Sequence, residues 1–173
     1  SEVPVLNSKN AVIEHRNAYG AIRLEPGKYP SSGEAPISAC TQLFPNGEIW
    51  SITATLVGEA GNPTAPFVPC KKFELAYRSA LDALVAFAVK RSPESVPLQV
   101  EFGMTGIRGI RLAVESGRDF WGPVHLEQIL HRATLTDSAP PTLDVAALAF
   151  FKKVYDASGH PRPDNLYGFP PRG

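Results

Sequence analysis

The sequence predicts an α+β fold: two antiparallel β-hairpins forming a sheet, covered by two main helices at about residues 71–91 and 143–158. Three observations predict it. Phe73, Tyr77, Leu81, Leu84 and Ala88 recur at helical spacing, with Ala80, Val85 and Phe87 widening the stripe. Asn46-Gly47 lies between two β-prone runs, and Asn-Gly is a strong hairpin signal because a type I′ turn needs positive φ at both central residues. Leu98–Met104 and Gly109–Val114 each alternate apolar with polar residues. Residues 73–114 therefore hold the most regular apolar surface and are expected to form the core.

Taken in order, residues 1–18 show no clean period and are expected to be peripheral, and Tyr19–Leu24 reads as a short strand. Glu25–Pro36, with Pro26-Gly27 and Pro30-Ser-Ser-Gly33, reads as loop. The first hairpin joins Ile37–Phe44 to Glu48–Val57. With Asn46-Gly47 as a two-residue loop, Leu43 faces Trp50, Thr41 faces Ile52, Ala39 faces Ala54 and Ile37 faces Leu56. This register puts an apolar set on one face and Ser38, Gln42, Ser51, Thr53 and Thr55 on the other. Trp50 is then assigned to the core or the sheet surface. Gly58–Pro69 reads as loop. On the first helix, Lys71, Glu74, Arg78 and Asp82 fall opposite the stripe, with Glu74–Arg78 and Arg78–Asp82 as i,i+4 pairs. Leu98–Met104 and Gly109–Val114, connected by Thr105–Arg108, read as the second hairpin, with Glu101, Arg111 and Glu115 as outward charge partners. Ser116–Pro123 reads as loop. Between Val124 and Asp137, Pro123 is placed to open a helical turn and His131–Thr136 reads as extended. Thr142 is the expected N-cap of the second helix, Gly159 its C′ residue and Pro161 its stop. Residues 162–173, rich in Pro and Gly, are expected to run over the surface.

Composition narrows the function. At 173 residues, one globular domain over 1–173 is expected. Lys+Arg and Asp+Glu both number 17, so nucleic-acid binding is not supported by net charge, and neither is a polybasic membrane role. The 17 prolines gather between elements and act as punctuation. Cys40 and Cys70 form no framework and no CxxC pair, and are expected to be reduced thiols. No run is long and apolar enough to span a bilayer, and no signal-peptide pattern opens the chain. A cytoplasmic location, with no membrane partner, is expected by elimination.

Candidate chemistry is sparse. His15, His125, His131 and His160 lack metal-ligand spacing, so no metal and no cofactor are expected. No GxSxG occurs, and neither cysteine lies beside a histidine. No catalytic residue is assigned. Among Glu101, Glu115, Asp119 and Glu127 the sequence selects no carboxylate pair. The glycines from Gly103 to Gly109 suit a turn better than a phosphate cradle. One binding constellation stands out: Arg108, Arg111 and Arg118 precede Phe120 and Trp121, and cations beside aromatics hold phosphates and stack bases.

Three segments carry a resemblance: Thr41-Gln-Leu-Phe-Pro-Asn-Gly-Glu-Ile-Trp50, Met104-Thr-Gly-Ile-Arg-Gly-Ile-Arg-Leu112, and the closing helix Leu143–Pro161. Their order over residues 37–161 resembles the C-terminal part of bacterial proteins whose N-terminal part is a Schlafen-type AlbA-like ATP- or nucleic-acid-binding domain. Pro45 stands where that pattern carries a basic residue. The resemblance implies a C-terminal domain of a larger bacterial cytosolic protein, linked to nucleic-acid-associated regulation or phage defence, with natural sequence preceding Ser1. It transfers no catalytic residue. The function expected is a non-catalytic interaction or sensing module whose partner is a protein or a preceding domain of the same chain. The alternatives are a small hydrolase-type enzyme or ligand binder with a pocket between sheet and helices, and direct nucleic-acid binding through residues 108–121.

Overall fold

Two helices and ten strands build the described part of the chain, which the computed structural model covers at residues 4, 13–27, 37–59, 66–115 and 119–169. The strands are β1 (Ile13–Asn17), β2 (Gly20–Pro26), β3 (Ile37–Leu43), β4 (Ile49–Thr53), β5 (Gly58–Glu59), β6 (Pro66–Pro69), β7 (Leu98–Thr105), β8 (Arg111–Glu115), β9 (Asp119–Trp121) and β10 (Gln128–Leu135). The helices are α1 (Cys70–Arg91) and α2 (Pro140–Asp156). The class is α+β, with mainly antiparallel sheets and two main helices, as the periodicity predicts.

Strand pairing departs from the expected pair of hairpins. Three sheets form, in the orders β1-β2-β3-β4, β10-β7 and β5-β6-β8-β9. Leu98–Met104 does not pair with its sequence neighbour; β7 pairs with β10, from Leu98↔Leu135 to Thr105↔Gln128. The cause lies in residues 106–110. Gly106 and Gly109 both take positive φ and turn the chain, while Ile107 and Ile110 are buried and anchor the turn in the core. The Ile107 amide donates to Glu127 O and the Gly109 amide to Val124 O. β8 is thereby delivered to a different sheet, parallel to β6 and antiparallel to β9. Glu101 consequently meets Arg132 across β7–β10 rather than Arg111. Gly58–Pro69 and Ser116–Pro123, expected as loops, contribute β5, β6 and β9. Residues 28–36, the bulk of the expected Pro-rich loop, and 116–118 lie outside the described residues.

An aromatic cluster fills the core. Phe73 packs edge-on against Tyr77, Phe150 and Phe151, Phe102 stacks on Phe150, and Tyr77 Oη donates to Gly103 O at 2.5 Å. Burying each of these rings is worth roughly 1.5–3 kcal/mol, and aromatic geometry adds about 0.5–1.5 kcal/mol per pair. α1 and α2 therefore adhere to each other and to the β7–β10 ribbon through one set of rings. α2 starts three residues before its expected site, at Pro140-Pro141, with Ala139 rather than Thr142 as its N-cap. Asp137 holds that end: its carboxylate accepts from the Ala139 amide at 2.8 Å, and the Thr142 hydroxyl and that amide keep its pKa below the ordinary range. Gly159 takes positive φ just after α2, as expected of a helix-ending glycine.

The C-terminal segment is not a surface tail. Arg162 is 6% exposed and Phe169 is 1% exposed. Arg162 donates from Nε to Glu74 Oε1 and from Nη2 to Glu74 Oε2, both at 2.8 Å, and from Nη2 also to the carbonyls of Leu166 and Phe169. Glu74, expected on the solvated side of α1, is 2% exposed. Its expected partner Arg78 instead faces Asp144 of α2 at 3.5 Å and lies 3.8 Å above the Phe169 ring. On the face opposite the apolar stripe, residues 162–169 cover Glu74 while Lys71 and Asp82 stay exposed, which is why the Glu74 carboxylate needs a fixed partner.

Breaking this pair from one side leaves a buried charge alone. Arg162→Met is expected to lower unfolding stability by about 3–5 kcal/mol, and Glu74→Met with Arg162→Met to recover much of that, both read from urea midpoints. Alkaline pH is the second test. Burial pushes the Cys70 thiol up to about 12 from 9.0, raises the Tyr167 hydroxyl to about 12 from 10.0, and raises Tyr77 as well. The unfolded chain releases these protons at ordinary pKa values while the native chain holds them. Stability is expected to be fully retained below about pH 9 and lost progressively toward pH 12, as measured by urea midpoints across that range.

Candidate interaction face

Pro45 sets the geometry of the exposed face. A two-residue Asn46-Gly47 loop needs residue 45 to donate its amide across the closing pair, and proline has none. The turn moves back by one residue. The Gly47 amide donates to Phe44 O at 3.0 Å, the Phe44 amide to Glu48 O at 2.9 Å, and Gly47 takes φ +88°. Pro45 occupies the first central position, which its fixed φ suits. Leu43 now pairs with Ile49, Gln42 with Trp50 and Cys40 with Ile52. The expected register is off by one, and such a slip exchanges the faces of one strand relative to the other. Trp50 and Ile52 therefore share a face with Gln42 and Cys40, not with Leu43 and Thr41.

Two rows cross all four strands on that face: Ile13–Leu24–Cys40–Ile52 and His15–Ile22–Gln42–Trp50. Ile13 is 46% exposed, and Trp50 and Ile52 are each 56% exposed. The opposite face carries Glu14, Arg23, Thr41 and Ser51 in one row, Glu25, Ala39 and Thr53 in another, and Arg16, Ala21, Leu43 and Ile49 in a third. There, Ala39, Thr41 and Glu25 are buried, and the Thr41 and Ser51 hydroxyls bond at 2.7 Å. Large apolar side chains of the first face thus meet solvent, while the second face buries its centre at Ala39 and Thr41. Trp50 is held in place by an edge contact with Phe44 and by its indole N–H, which donates to Glu48 Oε1 at 2.7 Å. Burial raises the Cys40 thiol pKa, so this cysteine behaves as a small apolar group.

The arginine–aromatic set is only partly assembled. Arg108 is exposed in the Gly106–Gly109 turn, and Arg111 lies 5.8 Å from the Phe120 ring centroid. Phe120 also packs edge-on against Phe67. Trp121, the next residue along β9, turns to the other side, against Tyr155 and His160. Successive strand residues point to opposite faces, so the two aromatics do not form one platform. Arg118 lies outside the described residues.

Other groups offer little chemistry. His131 stacks on Phe102, and burial, then the Lys153 charge, push its pKa down. His15 and His125 are exposed. The Tyr155 hydroxyl is buried without a hydrogen bond, within electrostatic reach of Cys70 and Glu74. Among the described residues, no three His, Cys, Asp or Glu side chains gather as metal ligands. An open depression beside the start of α1 is lined by Pro69, Lys71, Lys72, Leu75, Ala76 and Ser79, and Lys72 Nζ donates to Thr55 O there. Among the described residues, no helix is long and apolar enough to cross a membrane.

No family model matches the chain, and no curated protein or solved structure is similar to it. Exposure of the Trp50–Ile52 face has a measurable consequence. Replacing Trp50 and Ile52 together by serine is expected to shift the thermal midpoint by no more than about 4 °C, because surface changes cost little. The same replacement is expected to reduce the fluorescence of an apolar dye bound to the native protein. An unchanged dye signal would mean that this face is not the accessible apolar surface.

Proposed function

We propose that this domain is a non-catalytic interaction module and that the face of the β1–β4 sheet bearing Trp50 and Ile52 is its binding surface. The observation that carries the reading is the double row ending in Ile52 and Trp50: six apolar side chains gathered on one sheet face, with large ones left in solvent. Scattered exposed apolar residues need no explanation, whereas a contiguous set on a rigid sheet marks a binding surface. His15 is the sole titratable nitrogen in the two rows, and neither row holds a lysine or arginine, which favours a protein partner over nucleic acid. The resemblance across residues 37–161 extends the proposal: the module is the C-terminal domain of a larger bacterial cytosolic protein concerned with nucleic-acid-associated regulation or phage defence.

A photo-crosslinking amino acid placed at Trp50 is expected to yield discrete protein adducts when the chain is expressed from its native locus. The same group at Lys152, exposed on α2, is expected to yield none of them. Identical adduct patterns from the two positions, or none from Trp50, would sink the reading. The larger-protein proposal has its own check: the reading frame should continue upstream of the Ser1 codon.

A further inference from the structure

The side chains of the Trp50–Ile52 face point to the kind of partner it takes. None of the residues in its two rows is buried. Its polar side chains are already engaged. Gln42 Oε1 accepts from Asn17 Nδ2 at 2.9 Å, and Gln42 Nε2 donates to Ala21 O and Leu43 O, both at 3.2 Å. The Trp50 indole N–H is held by Glu48 Oε1. The rows contain no carboxylate, ammonium or guanidinium, and His15 stands at one corner. Apart from His15, the face therefore offers a partner apolar contact and little else.

That chemistry selects the backbone conformation of the occupant. The peptide groups of a sheet lie near its plane and are spent on the ladder, so a segment lying on the face meets side chains only. An extended segment laid there would bury its own N–H and C=O groups without partners, at a cost that grows with every residue added. A helix bonds its peptide groups internally and brings only side chains to the contact.

Size agrees with one helix. Four strands about 4.8 Å apart, with about 3.4 Å per residue over five residues, give a face of roughly 300 Å². A stable dimer needs about 800 Å² from each partner, so a second copy seated on this face alone falls well short. The rows run across the strands for about 14 Å and lie about 7 Å apart, being two residues apart along each strand. About ten helical residues at 1.5 Å each span that length, and a pitch of about 5.4 Å keeps nearly in step with the strands. A helix lying along the rows would seat an i, i+3/i+4, i+7 stripe between them, with Ile52 and Trp50 flanking one end. Because the rows are uncharged, that stripe is apolar and uncharged too.

We propose that the Trp50–Ile52 face docks one amphipathic helix of a partner protein, about ten residues long, through an apolar, uncharged stripe. This rests on the interaction-module reading and adds its binding mode. The test uses a multivalently displayed library of random hexadecapeptides selected on the intact chain, followed by titration of the enriched peptides. These are expected to carry apolar residues at i, i+3 or i+4, and i+7, and to gain helical circular dichroism on binding. A proline at the centre of the stripe is expected to weaken binding at least tenfold. Ile52→Asp is expected to weaken it at least tenfold, and Ile52→Thr, which keeps a β-branched side chain in the strand, at least threefold. Val145→Asp, at an exposed apolar position on α2, is expected to bind as the parent does. Should Ile52→Asp fail to fold, Ile52→Thr decides.

Three results would overturn the proposal. Peptides with apolar residues at i, i+2 and i+4 that tolerate the central proline, yet weaken on Ile52→Thr, would leave the face a binding surface and reject the helix. A concentration-dependent dimer of the chain, dispersed by either Ile52 variant, would replace the partner helix by a second copy. Peptides whose affinity ignores Ile52→Asp, Ile52→Thr and Trp50→Ser, or a library that enriches nothing over an unrelated immobilised protein, would reject the interaction-module reading together with the helix.

Discussion

The Glu74–Arg162 pair is the constraint on which the helical part of the structure depends. It joins α1 to a segment 88 residues later in the chain. Removing two charges from water costs several kcal/mol per ion, and only near-complete pairing offsets it. That condition is met. Both carboxylate oxygens accept from the guanidinium, whose remaining donors reach the carbonyls of Pro163, Leu166 and Phe169. Because three of those acceptors belong to the segment itself, the pair dictates its path. Phe169 is pressed onto Phe151, with Arg78 across its ring, and the Tyr167 hydroxyl reaches Val114 O on β8. One ion pair thus ties together α1, α2, β8 and the chain end.

The aromatic core of that unit contrasts with the exposed face of the β1–β4 sheet. Phe73, Phe150, Phe151 and Tyr155 are fully buried, and the large side chains that this side leaves in solvent, Leu75 on α1 and Val145 on α2 among them, sit on separate elements. Trp50, Ile52 and Ile13 differ in lying together on one face of a single sheet. The β1–β4 sheet connects to the helical core through residues 55–56, where Leu56 is buried and Lys72 Nζ holds Thr55 O at 2.7 Å. A rigid scaffold on one side and an apolar face on the other is the arrangement that preorganises a binding surface.

Elements with a strong local period were legible in the sequence. The stripe from Phe73 to Ala88 places α1 within one residue of its observed start, and the alternation of Leu98–Met104 gives β7. What failed was pairing across distance. Nothing local in Gln128–Leu135 says that it seeks β7, and the nearest alternating run, Gly109–Val114, was the default choice. Glu74 illustrates the same limit. Its helical position marks it as solvent-facing until Arg162 is brought over it. Phe120 and Trp121 looked like one platform because adjacency in sequence hides the alternation of a strand.

The candidate face was hidden by a single residue whose effect is calculable. Asn46-Gly47 signals a two-residue turn, and that register would have sent Trp50 and Ile52 to the side of Ala39 and Thr41. Both of those are now buried at 2% exposure or less, with no room for an indole. Pro45 lacks the amide that the tight turn requires, and Gly47 supplies the positive φ that the wider turn requires. The two residues together select the register that turns Trp50 outward. The turn and the exposed face therefore have one origin. The apolar surface is a consequence of the hairpin's own chemistry, and it persists for as long as the hairpin is folded.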